Sequence, residues 1–166
     1  MTIDIFRRIG LFALLCLIQA LVLNHIHLFG CAIPLFYIYF TLDSRRNYPR
    51  WGILLWSFFL GLAIDTFSNT PGVATASLTL IGVLQPYFFS MFYQQDAPDD
   101  IRPSMVGIGV TKYCSYVIPL VLLYCLVFFT LETFNFFNWL QWVKSVIGST
   151  VLTVILILTI ESVRKK

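Results

Sequence analysis

The sequence predicts an all-α integral membrane protein, a six-transmembrane-helix bundle forming one membrane domain over residues 1–166. Hydrophobic residues make up 58% of the chain and charged residues only 11%, whereas soluble domains carry about 25% charged residues. Residues 9–42 and 66–95 contain no Asp, Glu, Lys or Arg. Each of these runs is long enough for at least one crossing, which takes about 20 apolar residues. Lys and Arg also lie in every second polar break along the chain, as expected when successive loops lie on opposite sides of a membrane.

Polar breaks divide the chain into six apolar segments. The first, at about 9–23, is interpreted as an uncleaved span because Asn24 to His27, rather than small residues, follow it. The second, at about 31–42, is short for a perpendicular crossing. It crosses either by beginning near residue 28, giving a span over 28–42, or by local thinning of the bilayer. The remaining four spans are predicted at about 51–64, 73–93, 104–130 and 139–160.

The basic residues predict the orientation of these spans, because loops rich in Lys and Arg stay in the cytoplasm. With both termini in the cytoplasm, the breaks at 24–30, 65–72 and 131–138 lie outside and hold no Lys or Arg. The inner side then receives Arg7, Arg8, Arg45, Arg46, Arg50, Arg102, Arg164, Lys165 and Lys166. The loop of Arg45, Arg46 and Arg50 either fixes topology alone or also contacts anionic lipid or a cytoplasmic filament.

The outer break after the third span contains the most informative residues. Asp65 lies about 15 residues, or roughly 22 Å of helix, beyond Arg50, near the outer membrane interface. A carboxylate at that depth is costly unless it is bonded. It either caps backbone amides of the turn or takes part in binding a partner segment or a small solute. Ser68, Asn69 and Thr70 are predicted to accept bonds from the first amides of span four, with Pro71 in its first turn.

Small residues on both sides of this turn predict a tight hairpin of spans three and four. Ser57 and Gly61 form a small-x-x-x-small step, and Gly72 and Ala76 form another. Such steps let two helices approach closely in a membrane. The hairpin is therefore expected to hold Asp65 rigidly at its tip.

Catalytic and cofactor chemistry find no support in the sequence. There is no G-x-S-x-G elbow, no H-E-x-x-H helix and no Gly-rich phosphate loop. His25 and His27 lack further candidate ligands nearby, and the four cysteines lie in apolar stretches without a C-x-x-C pair. The basic residues are spread over short loops, which is not the pattern of a nucleic-acid surface. The sequence predicts no enzyme, no metal, no cofactor and no nucleic-acid partner.

The hairpin resembles that of the rod shape-determining protein MreD family. The residues that carry the resemblance are Gly61, Asp65, Ser68 and Gly72, spaced as G-x-x-x-D-x-x-S-x-x-x-G, with Thr70-Pro71 inside the motif and Leu80-Ile81-Gly82 after it. Chain length, six spans and a short basic tail fit the family as well.

The resemblance implies a bacterial inner-membrane subunit of the complex that directs side-wall peptidoglycan synthesis, with no enzymatic activity. It implies an MreC-like bitopic protein, an MreB-like filament, and a RodA-like glycosyltransferase with its penicillin-binding protein as partners. It also implies a bundle similar to the substrate-binding subunits of energy-coupling-factor vitamin transporters. A solute-binding transporter subunit is therefore the second hypothesis. The apolar outer breaks, such as Leu28-Phe29 and Phe136-Phe137, favour protein or lipid contact instead.

Overall fold

Every regular element in the described residues is a helix. The computed structural model describes residues 2–21, 33–44, 48–92, 103–133 and 139–164. The helices are α1 (Thr2–Leu21), α2 (Ile38–Leu42), α3 (Arg50–Ser68), α4 (Val73–Phe92), α5 (Met105–Ile108), α6 (Val110–Thr133) and α7 (Trp139–Arg164).

Four of these helices, α3, α4, α6 and α7, are long and apolar enough to cross a membrane. The shortest has 19 residues, about 28 Å of helix at 1.5 Å per residue, which matches a hydrocarbon core of about 30 Å. α1 contributes a shorter apolar stretch, Arg8–Gln19. The predicted class, an all-α multi-pass membrane protein, is confirmed at this level.

The bundle has two ends, which its polar residues distinguish. We call one the turn end: it holds the turn at residues 69–72, the last residue of α6 and the first residue of α7. We call the other the basic end: it holds Arg8, Arg50 and Arg164. Arg8 stacks over the Tyr48 ring at 3.8 Å, and Arg164 bonds Asp43 at 3.0 Å. The N-terminal helix and the last helix therefore both reach the basic end.

The second apolar segment differs from the predicted helix over 28–42. Its described part is helical only at Ile38–Leu42, and residues 33–35 are not helical; residues 28–32 lie outside the described part of the chain. Pro34 lacks an N–H and disfavours the α conformation in the residue before it. The backbone N–H groups of Ile33 and Leu35 bond the hydroxyls of Ser149 and Thr153 on α7 instead of helical carbonyls.

This non-helical stretch makes the short segment longer than a helix of the same number of residues would be. Ile33 and Leu35 bond Ser149 and Thr153, which lie four residues apart on α7, a distance of about 6 Å along that helix. Two residues of the stretch therefore match about 6 Å, so each rises about 3 Å, close to the value for extended chain. Farther along the segment, the side chain of Tyr39 reaches Glu161, which lies 12 residues beyond Ser149 on α7.

Two other predicted boundaries move by a few residues. Helix α3 continues to Ser68, so Asp65 lies within its last turn and its carbonyl accepts the N–H of Thr70. The fifth predicted span, 104–130, is two helices, because Gly109 adopts a φ of 86° between α5 and α6. The Ser104 hydroxyl caps α5 by accepting the N–H of Gly107 at 3.1 Å.

The predicted hairpin is present, and its helices α3 and α4 make the most extensive contact in the described fold. Gly61 is buried against the first turn of α4, and Gly82 faces Ser57. The turn closes with Asn69 in the left-handed conformation at φ 55°. Gly72 and Ala76, however, are exposed, so this second pair of small residues does not lie in the α3–α4 contact.

Gly61→Ala should destabilise the protein, because the added methyl would lie 2.4 Å from Thr75 Cα and 2.8 Å from Thr75 N. Backbone cannot move aside as a flexible side chain does, so we expect a loss of about 1–3 kcal/mol. The measurement is reversible unfolding of the purified protein in mixed micelles. Gly10→Ala is the control, since a Cβ there meets nothing within 4 Å. Equal stability of the two variants would contradict the close approach.

Candidate functional site

The Asp65 carboxylate is the centre of the hairpin. It is only 7% exposed and accepts four hydrogen bonds. Oδ1 accepts from Ala74 N at 2.9 Å and from Thr70 Oγ1 at 3.0 Å. Oδ2 accepts from Thr75 N at 2.9 Å and from Thr75 Oγ1 at 2.6 Å. The carboxylate of α3 thus does for α4 what an N-cap side chain normally does, and its charge faces the positive end of the α4 dipole.

This arrangement corrects one detail of the sequence interpretation. The first amides of α4 were expected to bond Ser68, Asn69 or Thr70, yet those of Ala74 and Thr75 bond Asp65. The Thr70 hydroxyl donates to the same carboxylate. The physical reason is reach: a side chain one turn from the end of α3 points across the tight hairpin to the free N–H groups of the next helix.

The remaining predicted hairpin residues have different positions. Gly61 lies one turn before Asp65 on the same face of α3, in contact with Thr75. Ser68 is half-buried and lines a small cavity beside Tyr37 and Phe128. Pro71 and Gly72 are exposed in the turn, and Gly72 has a φ of 84°. Pro71 precedes α4, which begins at Val73, and is not in its first turn.

The outer surface of the hairpin forms a groove of about 1170 Å³ between α3 and α4, which we call the hairpin groove. Its lining is mainly apolar, and Asp65 and Thr75 lie at its turn end. The α4 side includes the exposed small residues Gly72 and Ala76. The α3 side includes the exposed Phe58 and Leu62.

The non-helical stretch at 33–35 lies in the bundle interior and was not anticipated from the sequence. Ser149 and Thr153 accept its N–H groups at 3.1 Å each, and Gln19 Nε2 donates to the Pro34 carbonyl at 3.1 Å. Irregular backbone is tolerated at membrane depth only when protein groups satisfy it. Gln19, Ser149 and Thr153 are buried polar residues inside apolar helices, and that pattern was the available signal.

A second polar network ties the same segment to α7 at the basic end. Tyr39 donates to Glu161 at 2.8 Å, and Arg164 donates to Tyr39 at 2.8 Å and to Asp43 at 3.0 Å. Glu161 is 3% exposed and lies 3.7 Å from the Arg164 guanidinium. Glu161, the second buried acid among the described residues, is therefore hydrogen-bonded and paired within the protein.

The carbonyls that end α2 also have side-chain partners. Tyr116 Oη donates to the Leu42 carbonyl at 3.3 Å, and Gln85 Nε2 donates to Tyr116 Oη at 3.0 Å. Gln85 also lies 3.4 Å from the Ser44 carbonyl. In the bundle core, the hydroxyls of Tyr37 and Tyr124 bond each other. The segment is thus held at both ends and in the middle.

A cavity of about 220 Å³ lies where this segment meets α3 and α6 near the turn end; we call it the turn-end cavity. Among the described residues, its polar lining includes Tyr37, Ser68, Thr70 and Glu132. Thr70 lines this cavity, and its hydroxyl donates a hydrogen bond to Asp65. Asp65 itself lines the hairpin groove, so this bond connects the cavity with the groove.

The predicted basic loop is described only in part. Arg45 and Arg46 lie outside the described residues. Arg50 is the first residue of α3, exposed, with its guanidinium 5.3 Å from the centre of the Tyr87 ring. At that distance the cation can interact with the ring face, which links the basic ends of α3 and α4.

Asp65→Ala should destabilise the protein by about 1–3 kcal/mol, because it leaves two N–H groups at the start of α4 without their acceptor. Asp65→Asn keeps one acceptor oxygen and should cost less. Thr66→Ala is the neighbouring control, since that exposed hydroxyl bonds only the Leu62 carbonyl of its own helix. Unfolding in mixed micelles should rank the losses as Asp65→Ala, then Asp65→Asn, then Thr66→Ala. A different order would contradict the capping role.

Thr153→Val should also be destabilising, by about 1–2 kcal/mol, because the buried N–H of Leu35 loses its acceptor while the side-chain shape is kept. The matched control on the same helix is Thr159→Val, whose exposed hydroxyl bonds only the Ile155 carbonyl. Unfolding free energies of both variants provide the measurement. If Thr159→Val cost as much as Thr153→Val, the hydroxyl would not support the non-helical stretch.

Comparison with known proteins leaves the functional interpretation to the residues of this chain. No protein-family model, curated protein or solved structure matches it.

Proposed function

We propose that this chain is a non-enzymatic scaffold subunit of the cell-elongation complex that guides side-wall peptidoglycan synthesis, similar to the MreD family. The proposal rests on the motif Gly61, Asp65, Ser68 and Gly72, whose resemblance to that family first suggested this role. In its support, Gly61 abuts Thr75 and Asp65 bonds the first amides of α4. A motif that fixes the shape of a hairpin is suited to presenting a rigid surface to a partner.

The proposed topology has six crossings in a bacterial inner membrane, with both termini in the cytoplasm. The packing of Arg8 on Tyr48 and of Arg164 on Asp43 supports it, because these contacts gather basic residues at one end. The segment at 33–44 would be the second crossing, made mostly without helix. A bundle with such a segment remains compatible with the proposed likeness to the substrate-binding subunits of vitamin transporters.

Non-enzymatic action is supported by the state of the buried acids. Asp65 accepts four hydrogen bonds from the protein, and Glu161 is bonded by Tyr39 and close to Arg164. Carboxylates engaged in this way stabilise the fold and are poor general acids or bases, which need access to a substrate proton.

The hairpin groove is the proposed docking surface for the membrane helix of an MreC-like bitopic protein. Gly72, Ala76 and Thr79 line its α4 side and follow one another at helical spacing. Small residues and a hydroxyl at such spacing allow a second helix to approach closely in lipid. The rigid Asp65 cluster at the turn end would hold this surface in one shape.

The basic end is the proposed side for the other partners. Arg50, together with Arg45 and Arg46, would attract anionic lipid at about 1 kcal/mol per basic residue and would face an MreB-like filament. A RodA-like glycosyltransferase with its penicillin-binding protein would meet the remaining lipid-facing helices. We propose no nucleic-acid partner and no cofactor.

The second candidate function, a solute-binding subunit of a vitamin transporter, is favoured by one observation, the turn-end cavity. Its volume of about 220 Å³ is below the range of about 300–1,000 Å³ for sites that hold drug-sized ligands. A vitamin would not be enclosed there. Scaffolding is therefore the preferred proposal.

Ala76→Leu tests the docking role without touching the packed face of the hairpin. The larger side chain would project into the groove from an exposed position. A steric cost of about 1–3 kcal/mol corresponds to about a 5- to 150-fold loss of affinity for the MreC-like protein, measured as reduced co-purification. A rod-shaped host that depends on the chain should round up. Ala13→Leu is the matched control, because Ala13 is exposed on α1 and does not line the groove.

Asp65→Ala and Gly61→Leu complete the test. Both should impair cell shape or partner capture while the protein still inserts into the membrane. Wild-type behaviour of these two variants and of Ala76→Leu would remove the hairpin from the proposal. Tight co-purification of a vitamin with the solubilised protein would instead favour the transporter subunit.

A further inference from the structure

We infer that the hairpin groove selects a membrane helix that presents a tryptophan indole N–H to the Thr79 hydroxyl. This selection rests on the proposed docking role of the groove and specifies which feature of the docking helix the groove recognises. The hydroxyl groups that line the groove carry it, because all of them donate their protons to other groups of the hairpin.

Three threonine hydroxyls line the groove, and none has a proton left for a partner. Thr66 Oγ1 donates to the Leu62 carbonyl at 2.8 Å, and Thr79 Oγ1 donates to the Thr75 carbonyl at 2.7 Å. Thr75 Oγ1 donates to Asp65 Oδ2 at 2.6 Å. A hydroxyl whose only proton is engaged keeps its lone pairs for accepting. These hydroxyls therefore call for a donor.

The donor that suits this groove is neutral. The Asp65 carboxylate also lines the groove, but its two oxygens already accept four hydrogen bonds, which fills about all of their acceptor positions. A charged Lys or Arg on a docking helix would be costly at membrane depth. The hydroxyls, rather than the carboxylate, are therefore the groups that a docking side chain can bond.

Thr79 is the acceptor with the least competition from water. Among the described polar residues that line the groove, it lies farthest from the turn, six residues after Val73, or about 9 Å along α4. It is half-buried. Hydrogen bonds are stronger where the surroundings exclude water, so a donor gains most by reaching this hydroxyl.

The bundle interior already uses threonine and serine hydroxyls in this way. Ser149 and Thr153, four residues apart on α7, accept the N–H groups of Ile33 and Leu35 at 3.1 Å each. Thr75 and Thr79 have the same spacing on α4, with their oxygens on the groove instead of the interior. The groove thus offers an outside partner the kind of acceptor pair that the second segment occupies inside.

The indole of tryptophan matches both the polar and the apolar parts of the groove. It is a donor without an acceptor, whereas Ser, Thr, Tyr, Asn and Gln side chains each bring an oxygen that would itself need a donor. Its large ring system suits a lining that includes Phe58, Leu62 and Leu80. The exposed small residues Gly72 and Ala76 leave room beside the threonines.

A synthetic leucine-alanine transmembrane helix with one guest residue tests the selection. Its guest is tryptophan or benzothienylalanine, which keeps the bicyclic shape but has sulfur in place of the N–H. Energy transfer between a dye on the peptide and a dye on the full chain, at fixed detergent, gives the affinities. The tryptophan peptide should bind about 3- to 30-fold more tightly, the range expected for one hydrogen bond between membrane helices.

Thr79→Val should abolish this preference by weakening only the tryptophan peptide, because valine keeps the side-chain shape without the acceptor. The variant should fold, since the lost hydroxyl bonds only a carbonyl of its own helix among the described contacts. Thr159→Val is the matched control: that hydroxyl also bonds its own helix, lies on α7 outside the groove, and should leave the preference unchanged.

Two results would overturn the selection: equal affinity of the two peptides for the wild-type chain, or an undiminished tryptophan preference in Thr79→Val. Failure of the docking role itself has a different signature, because Ala76→Leu would then leave binding of the MreC-like protein intact. If Ala76→Leu blocks that partner while the two peptides bind equally, the groove docks a helix without selecting an indole.

Discussion

The rest of this structure depends on one constraint: backbone N–H and C=O groups in a bundle surrounded by hydrocarbon must find partners inside the protein. Among the described residues, the start of α4 and the stretch at 33–35 are places where the chain leaves regular helix and its N–H groups bond side chains. Asp65 satisfies the first by accepting the N–H groups of Ala74 and Thr75. Ser149 and Thr153 satisfy the second. Buried polar side chains thus allow the irregular geometry that a plain helical bundle would lack.

The Asp65 cluster connects the hairpin groove with the turn-end cavity. Thr75 and Asp65 line the hairpin groove, whereas Thr70, bonded to the same carboxylate, lines the turn-end cavity. A change in the carboxylate would therefore disturb both surfaces at once. Ala76 lines the groove from an exposed position and is not among the residues that hydrogen-bond the carboxylate.

The short second segment is held by more polar contacts than its length would suggest. Its non-helical part bonds α1 and α7, and its helical part bonds α7 through Tyr39. Its final carbonyls are bonded by Tyr116 and Gln85 from α6 and α4. These contacts come from α1, α4, α6 and α7, and they hold the twelve described residues of the segment largely buried inside the bundle.

The sequence by itself determined the class of protein, the approximate positions of the long helices and the tight α3–α4 hairpin, because apolar run length and small-residue spacing are local properties. It also singled out Asp65 and Gly61. Only the tertiary structure decided that Asp65 caps the next helix, that the segment after Ile33 is not helical, and that Gly72 and Ala76 face a groove. Those outcomes depend on which side chains from distant helices, such as Ser149 and Thr153, reach the backbone, and periodicity along one chain carries no information about that pairing.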